Sequence, residues 1–338
     1  MPASAAVYGC KGPQLAAEER AFFRDVRPFG YILFARNAEN PEQLRALCRD
    51  LRVAGDDESA PIFIDQEGGR VQRLKPPHWR ARPPARTFGR LFHMDPESGR
   101  ESAYLCARLI AHELRSVDVT VNCAPVLDAP VEGAHDIIGD RAFSSDPAAI
   151  IELGRAAIEG YLDGGVLPII KHIPGHGRAT ADSHLSLPRV SAGANELSGH
   201  DFVTFRGLNR APIAMTAHVV YEAIDDRRPA TISPRVLHNV VRGEIGFEGL
   251  LVSDDLSMSA LSGSLAARAK AAFFAGCDIA LHCNGKLDEM KEVASETKPL
   301  AGPALARAKA ALALLHAPIE LDVEAAEKRL AALIGVMA

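Results

Sequence analysis

Short, unbroken apolar runs alternate with longer stretches of helical periodicity from one end of this chain to the other. The apolar runs fall at 5–9, 30–35, 61–65, 119–124, 167–171, 213–217, 250–254 and 278–282. Each reads as a β-strand, and continuous rather than alternating hydrophobicity is expected of parallel strands covered on both faces. Between them, 41–54, 97–117, 147–163, 195–209, 233–245 and 260–275 repeat apolar residues at helical spacing. Asn40-Pro41 is a helix start signal, and Ser233-Pro234 pairs an N-cap residue with proline at the first helical position. Eight such units predict an α/β protein built as a (β/α)8 barrel. A doubly wound open sheet would need a Gly-rich phosphate turn after an early strand, and the first strand ends instead in Gly9-Cys10-Lys11-Gly12-Pro13. The Ala-, Leu- and Lys-rich tail from about residue 286 is expected to form extra C-terminal helices outside the barrel. The Pro- and Arg-rich segment 74–90 reads as a long loop after the third strand, on the active face.

Composition narrows the picture. The chain has 338 residues, 47% hydrophobic and 24% charged, enough for a large core. It shows no linker or repeat, so one domain over 1–338 is expected. A net charge of −5 without blocks of like charge argues against nucleic acid or an anionic membrane as partner. Six cysteines with no Cys-x-x-Cys pair, mostly inside apolar runs, suggest free buried thiols in a reducing compartment. No basic region precedes a long apolar stretch at the N-terminus, and no run approaches 18 apolar residues. The cytoplasm follows as the expected compartment; a monomer is the expected state, although nothing in the composition sets it.

In a barrel the carboxyl ends of the strands converge on one face, where reactions occur. Here those ends carry Asp65, Glu67, Arg70 and Arg73, then Asn122 and Asp128 with Asp140-Arg141 beyond, then Lys171-His172, Met215 to His218, and Asp254-Asp255. Ionisable groups at the same relative position on most strands are hard to explain as packing. Asp254 reads as a nucleophile, with Asp255 the alternative. Neighbours on a strand face opposite ways, so one of the two aims at the axis and the other can cap the following helix.

The stretch 171–188, KHIPGHGRATADSHLSLP, is the richest in chemistry. Asp182 lies two residues before His184 and can accept a hydrogen bond from one ring nitrogen, leaving the other to move a proton near neutral pH. Lys171 and His172 read as rigid donors for substrate hydroxyls. Pro174 to Gly177 reads as a hinge, with His176 bracing it.

KHIPGHG, the following DSH and Pro188, and SDDLSM at 253–258 resemble the family 3 glycoside hydrolases, closest to their bacterial β-N-acetylhexosaminidase branch. IDQEGGRVQRL at 64–74, GYILFARN at 30–37, NCAPVLD at 122–128 and GDRAF at 139–143 agree, and the likeness covers roughly residues 1–290. Ile173 stands where Phe is common. The resemblance implies a single barrel that removes terminal β-linked N-acetylglucosamine with retention of configuration. It implies Asp254 as nucleophile and His184, paired with Asp182, as general acid/base. Asp65, Arg73, Arg141, Lys171 and His172 would grip sugar hydroxyls, with Asp128 added to them. Met215 and His218 would line the pocket near the nucleophile. No cofactor and no metal is implied. A natural substrate would be the GlcNAc–1,6-anhydro-N-acetylmuramic acid muropeptides of peptidoglycan recycling.

Four rivals remain at this level. A phosphorylase of the same family would use phosphate in place of water. A β-glucosidase of the family often carries a further domain. A metal-dependent hydrolase could use His172, His176, Asp182 and His184 as an N/O ligand set, although His172 and His176 straddle Pro174-Gly175 and share no helical face. A non-catalytic sugar-binding barrel would have no need of Asp254 with Asp182 and His184.

Overall fold

The computed structural model describes residues 3–179 and 187–336. Parallel strands close a barrel in which each pairs with its neighbours in sequence. They are β1 (Ser4–Gly9), β2 (Pro28–Leu33), β3 (Ile62–Ile64), β4 (Val121–Asn122), β5 (Leu167–Ile173), β6 (Ile213–Thr216), β7 (Leu250–Asp255) and β8 (Ile279–His282). The ring closes where Ala6, Val7 and Tyr8 of β1 stand opposite Ala280, Leu281 and His282 of β8.

Two apolar layers explain the unbroken strand hydrophobicity. Inward residues such as Val7, Phe63, Leu167, Ile169, Leu250, Val252 and Ile279 fill the barrel interior. The intervening residues, among them Ala6, Tyr8, Ile62, Ile170, Leu251 and Ala280, pack outward against the helices. Period-2 alternation thus buries both faces, and each large aliphatic side chain so buried contributes roughly 1.5–3 kcal/mol. All six cysteines are free and buried.

Local signals act where the pattern placed them. Pro41–Ala54 is capped by the Asn40 side chain, which accepts from the Gln43 N–H at 2.9 Å. The hydroxyl of Ser233 accepts from the Val236 N–H ahead of the wide π-type helix Arg235–Glu244. The single helix expected over 195–209 is two, Ala194–Gly199 and Asp201–Gly207.

Two other expectations are corrected. The segment 74–90 is a loop only in its first part: its second part enters the helix Ala85–Met94, and Arg82 turns into the fold. There it pairs with Glu113 and with Glu327 of the helix Val323–Gly335. Nor does the tail lie wholly outside the barrel. Leu300, with Ala308 and Ala311 of the helix Gly302–Leu312, joins the interior cluster of Val7, Phe29 and Phe63, so this helix closes one end of the barrel. Among the described residues no helix is long and apolar enough to cross a membrane.

Candidate active site

A cavity of about 370 Å³ opens at the carboxyl ends of the strands. That is near the small end of the range of roughly 300–1,000 Å³ usual for small-ligand sites. Ile32, Phe34, Asp65, Lys171, His172, Met215, Asp254, Asp255 and Leu281 reach it from barrel strands or the residues next to them; Glu67, Arg70, Arg73, Ile137, Ile138 and Arg141 reach it from the segments that follow β3 and β4. Its lining is part charged and part apolar.

The charged wall is a single network. Lys171 Nζ lies 2.8 Å from Asp65 Oδ1 and 2.6 Å from Glu67 Oε1. Arg73 donates to the second Asp65 oxygen at 3.2 Å. Arg141 donates from two nitrogens to both oxygens of Glu67, each at 2.9 Å. This fork-on-fork geometry is the strong form of a charge-assisted bond. Burial disfavours the charge on Asp65, but Lys171 and Arg73 outweigh it and hold the carboxyl well below the usual range. The same opposition, with Arg141 and Lys171 prevailing, holds Glu67 down to about 2. Burial likewise works against the Lys171 ammonium, and the two carboxylates reverse it.

Glu67 was missed among the site residues although the sequence carries its signal. It lies two residues after Asp65, and i and i+2 in extended chain share a face. Both meet the same ammonium. Between Gly68 and Gly69, with φ of 96° and 54°, the chain folds back into the short hairpin that carries Arg73. Residues with side chains strongly disfavour such positive φ values.

His172 presents its ring to the cavity because Asp128 holds it from behind. Asp128 Oδ2 lies 2.7 Å from His172 Nδ1, and Oδ1 accepts the backbone N–H groups of His172 and His176. Asp128 is fully buried, so it supports the wall and does not belong to it. Burial opposes its charge, but His172 keeps the carboxyl below its ordinary range. Lys171 and His172 both line the cavity although they are adjacent. The register of β5 against β6 shifts between Lys171 and Ile173, and such irregularities re-aim side chains. Burial pushes the imidazole of His176 down to about 4, with His172 adding to the effect.

Asp254 and Asp255 separate cleanly. The Asp255 carboxylate accepts from Ser257 N–H and Oγ and from the Cys283 N–H, so it ties the turn after β7 to the end of β8. It does not cap a helix; the next one, Leu265–Ala275, is capped by Ser264. Asp254 lines the cavity, with Oδ1 accepting the Asp255 N–H.

His218 is not among the residues lining the cavity. It is fully buried behind the Asp254–Asp255 peptide. Asp254 N–H donates to Thr216 Oγ1, which contacts Thr231 Oγ1 at 2.8 Å. Thr231 in turn contacts His218 Nδ1 at 2.7 Å, and His218 Nε2 lies 3.0 Å from the Asp255 carbonyl. A carbonyl only accepts, so Nε2 carries the proton. The ring of bonds leaves the amide of one aspartate and returns to the carbonyl of the next.

Asp65, Arg73, Arg141, Lys171, His172, Met215 and Asp254 are thus brought together. Asp182 and His184 lie outside the described residues. Of the rival metal-ligand set, His172 Nδ1 is taken by Asp128, and among the described residues no His/Cys/Asp/Glu group is arranged to hold a metal ion.

Comparison with known proteins fits this geometry. The glycosyl hydrolase family 3 N-terminal domain matches residues 8–311. A β-hexosaminidase of Alkalilimnicola ehrlichii is 44% identical over 280 residues, covering 82% of this chain and 79% of the relative. One from Thiobacillus denitrificans is 39% identical, covering 90% and 84%. Among solved structures, NagZ from Neisseria gonorrhoeae in complex with N-trifluoroacetyl-D-glucosamine superposes with a TM-score of 0.89 at 32% identity, covering 99% of each chain.

Proposed function

The chain belongs to glycosyl hydrolase family 3, and from that premise we propose that it is a retaining exo-β-N-acetylglucosaminidase made of one domain. The observation that carries the reading is Asp254, held at the end of β7 in a cavity that the Asp65–Lys171–Glu67–Arg141 network also lines.

In this reading Asp254 attacks the anomeric carbon of the terminal sugar. The glycosidic bond breaks, a glycosyl ester forms on Asp254, and an acid protonates the departing oxygen. The same group then takes a proton from water, which cleaves the ester and restores the original configuration. His184 with Asp182, assigned from the motif and lying outside the described residues, fills the proton-transfer role. Asp65, Arg73, Arg141, Lys171 and His172 position the sugar through its hydroxyls, and Met215 offers an apolar surface beside Asp254. His218 acts from behind, by fixing the peptide that carries Asp254. Hydrolysis is favoured over phosphorolysis because Lys171, Arg73 and Arg141 are already engaged by carboxylates. The natural substrates proposed are GlcNAc–1,6-anhydro-N-acetylmuramic acid muropeptides, acted on by a monomer in the cytoplasm.

The test is hydrolysis of 4-nitrophenyl N-acetyl-β-D-glucosaminide, with the first-formed sugar followed by NMR. The β-anomer is expected. An α-anomer as first product, or no turnover at all, would overturn the reading.

A further inference from the structure

Among the described residues, Lys171, Arg73 and Arg141 meet two carboxylates on the sugar-facing wall. Asp65 takes Arg73 and shares Lys171. Glu67 takes both donating nitrogens of Arg141 and the other share of Lys171. Asp254 lines the same cavity. Other charged groups of the described residues on the wall are committed elsewhere. Arg70 is spent on Asp136 and Asp140, Asp255 on Ser257 and the Cys283 N–H, and His172 on Asp128. The side chains of Lys171 and Glu67 are only 3% and 7% exposed. At such burial an unmatched charge is costly, and removing one member of a pair leaves the other uncompensated. An anion seeking Arg141 or Lys171 would have to displace Glu67 from them. A neutral hydroxyl can bond beside the existing pairs.

We propose that Glu67 is a specificity-determining residue that restricts this site to uncharged sugars: by occupying Arg141 and Lys171 it denies them to phosphate, sulfate and carboxylate groups. The proposal rests on reading the cavity as the sugar site. Glu67→Gln keeps the side-chain size and removes the charge that Arg141 and Lys171 share. Inorganic phosphate is then expected to become a competitive inhibitor of aryl N-acetylglucosaminide hydrolysis, with Ki at least tenfold below the wild-type value. Sodium chloride at equal ionic strength should not reproduce the effect. Glu67→Asp keeps the charge on a shorter arm, so its KM should rise while its phosphate response stays that of the wild type. A Glu67→Gln enzyme that melts as a folded protein and responds to phosphate like wild type would overturn the proposal.

Should Glu67→Gln not fold, the wild type still decides. Calorimetric binding or competitive inhibition by phosphate at low millimolar concentration overturns the proposal, and absence of both supports it. Calorimetry needs no turnover, so a wild type that fails to hydrolyse the glycoside strikes the sugar-site reading alone.

Discussion

Asp128 and His172 are a buried pair in which one carboxylate holds both a side chain and the backbone around it. Its two oxygens take His172 Nδ1 at 2.7 Å, the His172 N–H at 3.1 Å and the His176 N–H at 2.6 Å. The cavity-facing imidazole and the start of the Gly175–Gly177 segment therefore share one anchor.

Replacing Asp128 by Ala should be among the most destabilising single changes at this site. It strands two buried N–H groups and an imidazole, and each unmatched buried donor costs about 1–3 kcal/mol. A loss of about 3 kcal/mol in chemical denaturation is expected, together with a raised KM. Unchanged stability would mean the segment finds other partners.

Asp254→Ala should abolish turnover of every glycoside, by about 10³-fold or more, equivalent to about 4 kcal/mol of barrier. Stability should change little, because the wall keeps its other ion pairs. Substantial residual activity on an activated aryl glycoside would remove Asp254 as nucleophile.

His184→Ala should lose most activity on substrates with poor leaving groups and far less on activated aryl glycosides, whose departure needs no proton. Comparing kcat/KM across a series of leaving groups checks this. Equal loss throughout would sink the acid assignment.

The hydrogen-bonded ring through Thr216, Thr231 and His218 predicts a kcat effect from a residue that touches no substrate. His218→Phe removes both ring bonds behind the Asp254–Asp255 peptide. It should lower kcat about 10–100-fold with KM nearly unchanged, as when an interaction that matters only in the transition state is lost. A raised KM at constant kcat would contradict this.

Glu67 also gives stability an acid limit. Its carboxyl is depressed to about 2 in the fold from an ordinary value of 4.5. The unfolded chain therefore binds the proton first, and the contribution is present above about pH 4.5 and lost as pH falls through 2. Melting temperature should drop over that window in the wild type and drop less in Glu67→Gln. An equally steep fall in both would exclude Glu67 as a source.

The sequence was enough for the barrel and for much of the charged lining of the cavity. Period-2 burial on both faces leaves unbroken apolar runs, and polar groups at the strand ends have one face on which to gather. That reasoning located Asp65, Lys171, His172, Met215 and Asp254. It was weaker where a residue's role depends on a partner far along the chain. Arg141 lies 74 residues from Glu67, and Lys171 lies 106 from Asp65. Only the closed barrel, by fixing the distances between strand ends, turned Glu67 into the counter-ion of two cations, moved Asp128 and His218 behind the wall, and gave Asp255 a structural duty. Local pattern determines which face a side chain takes. Tertiary geometry decides whether that side chain meets substrate, because hydrogen bonds and ion pairs act over about 3 Å, and nothing in sequence spacing measures that across a barrel.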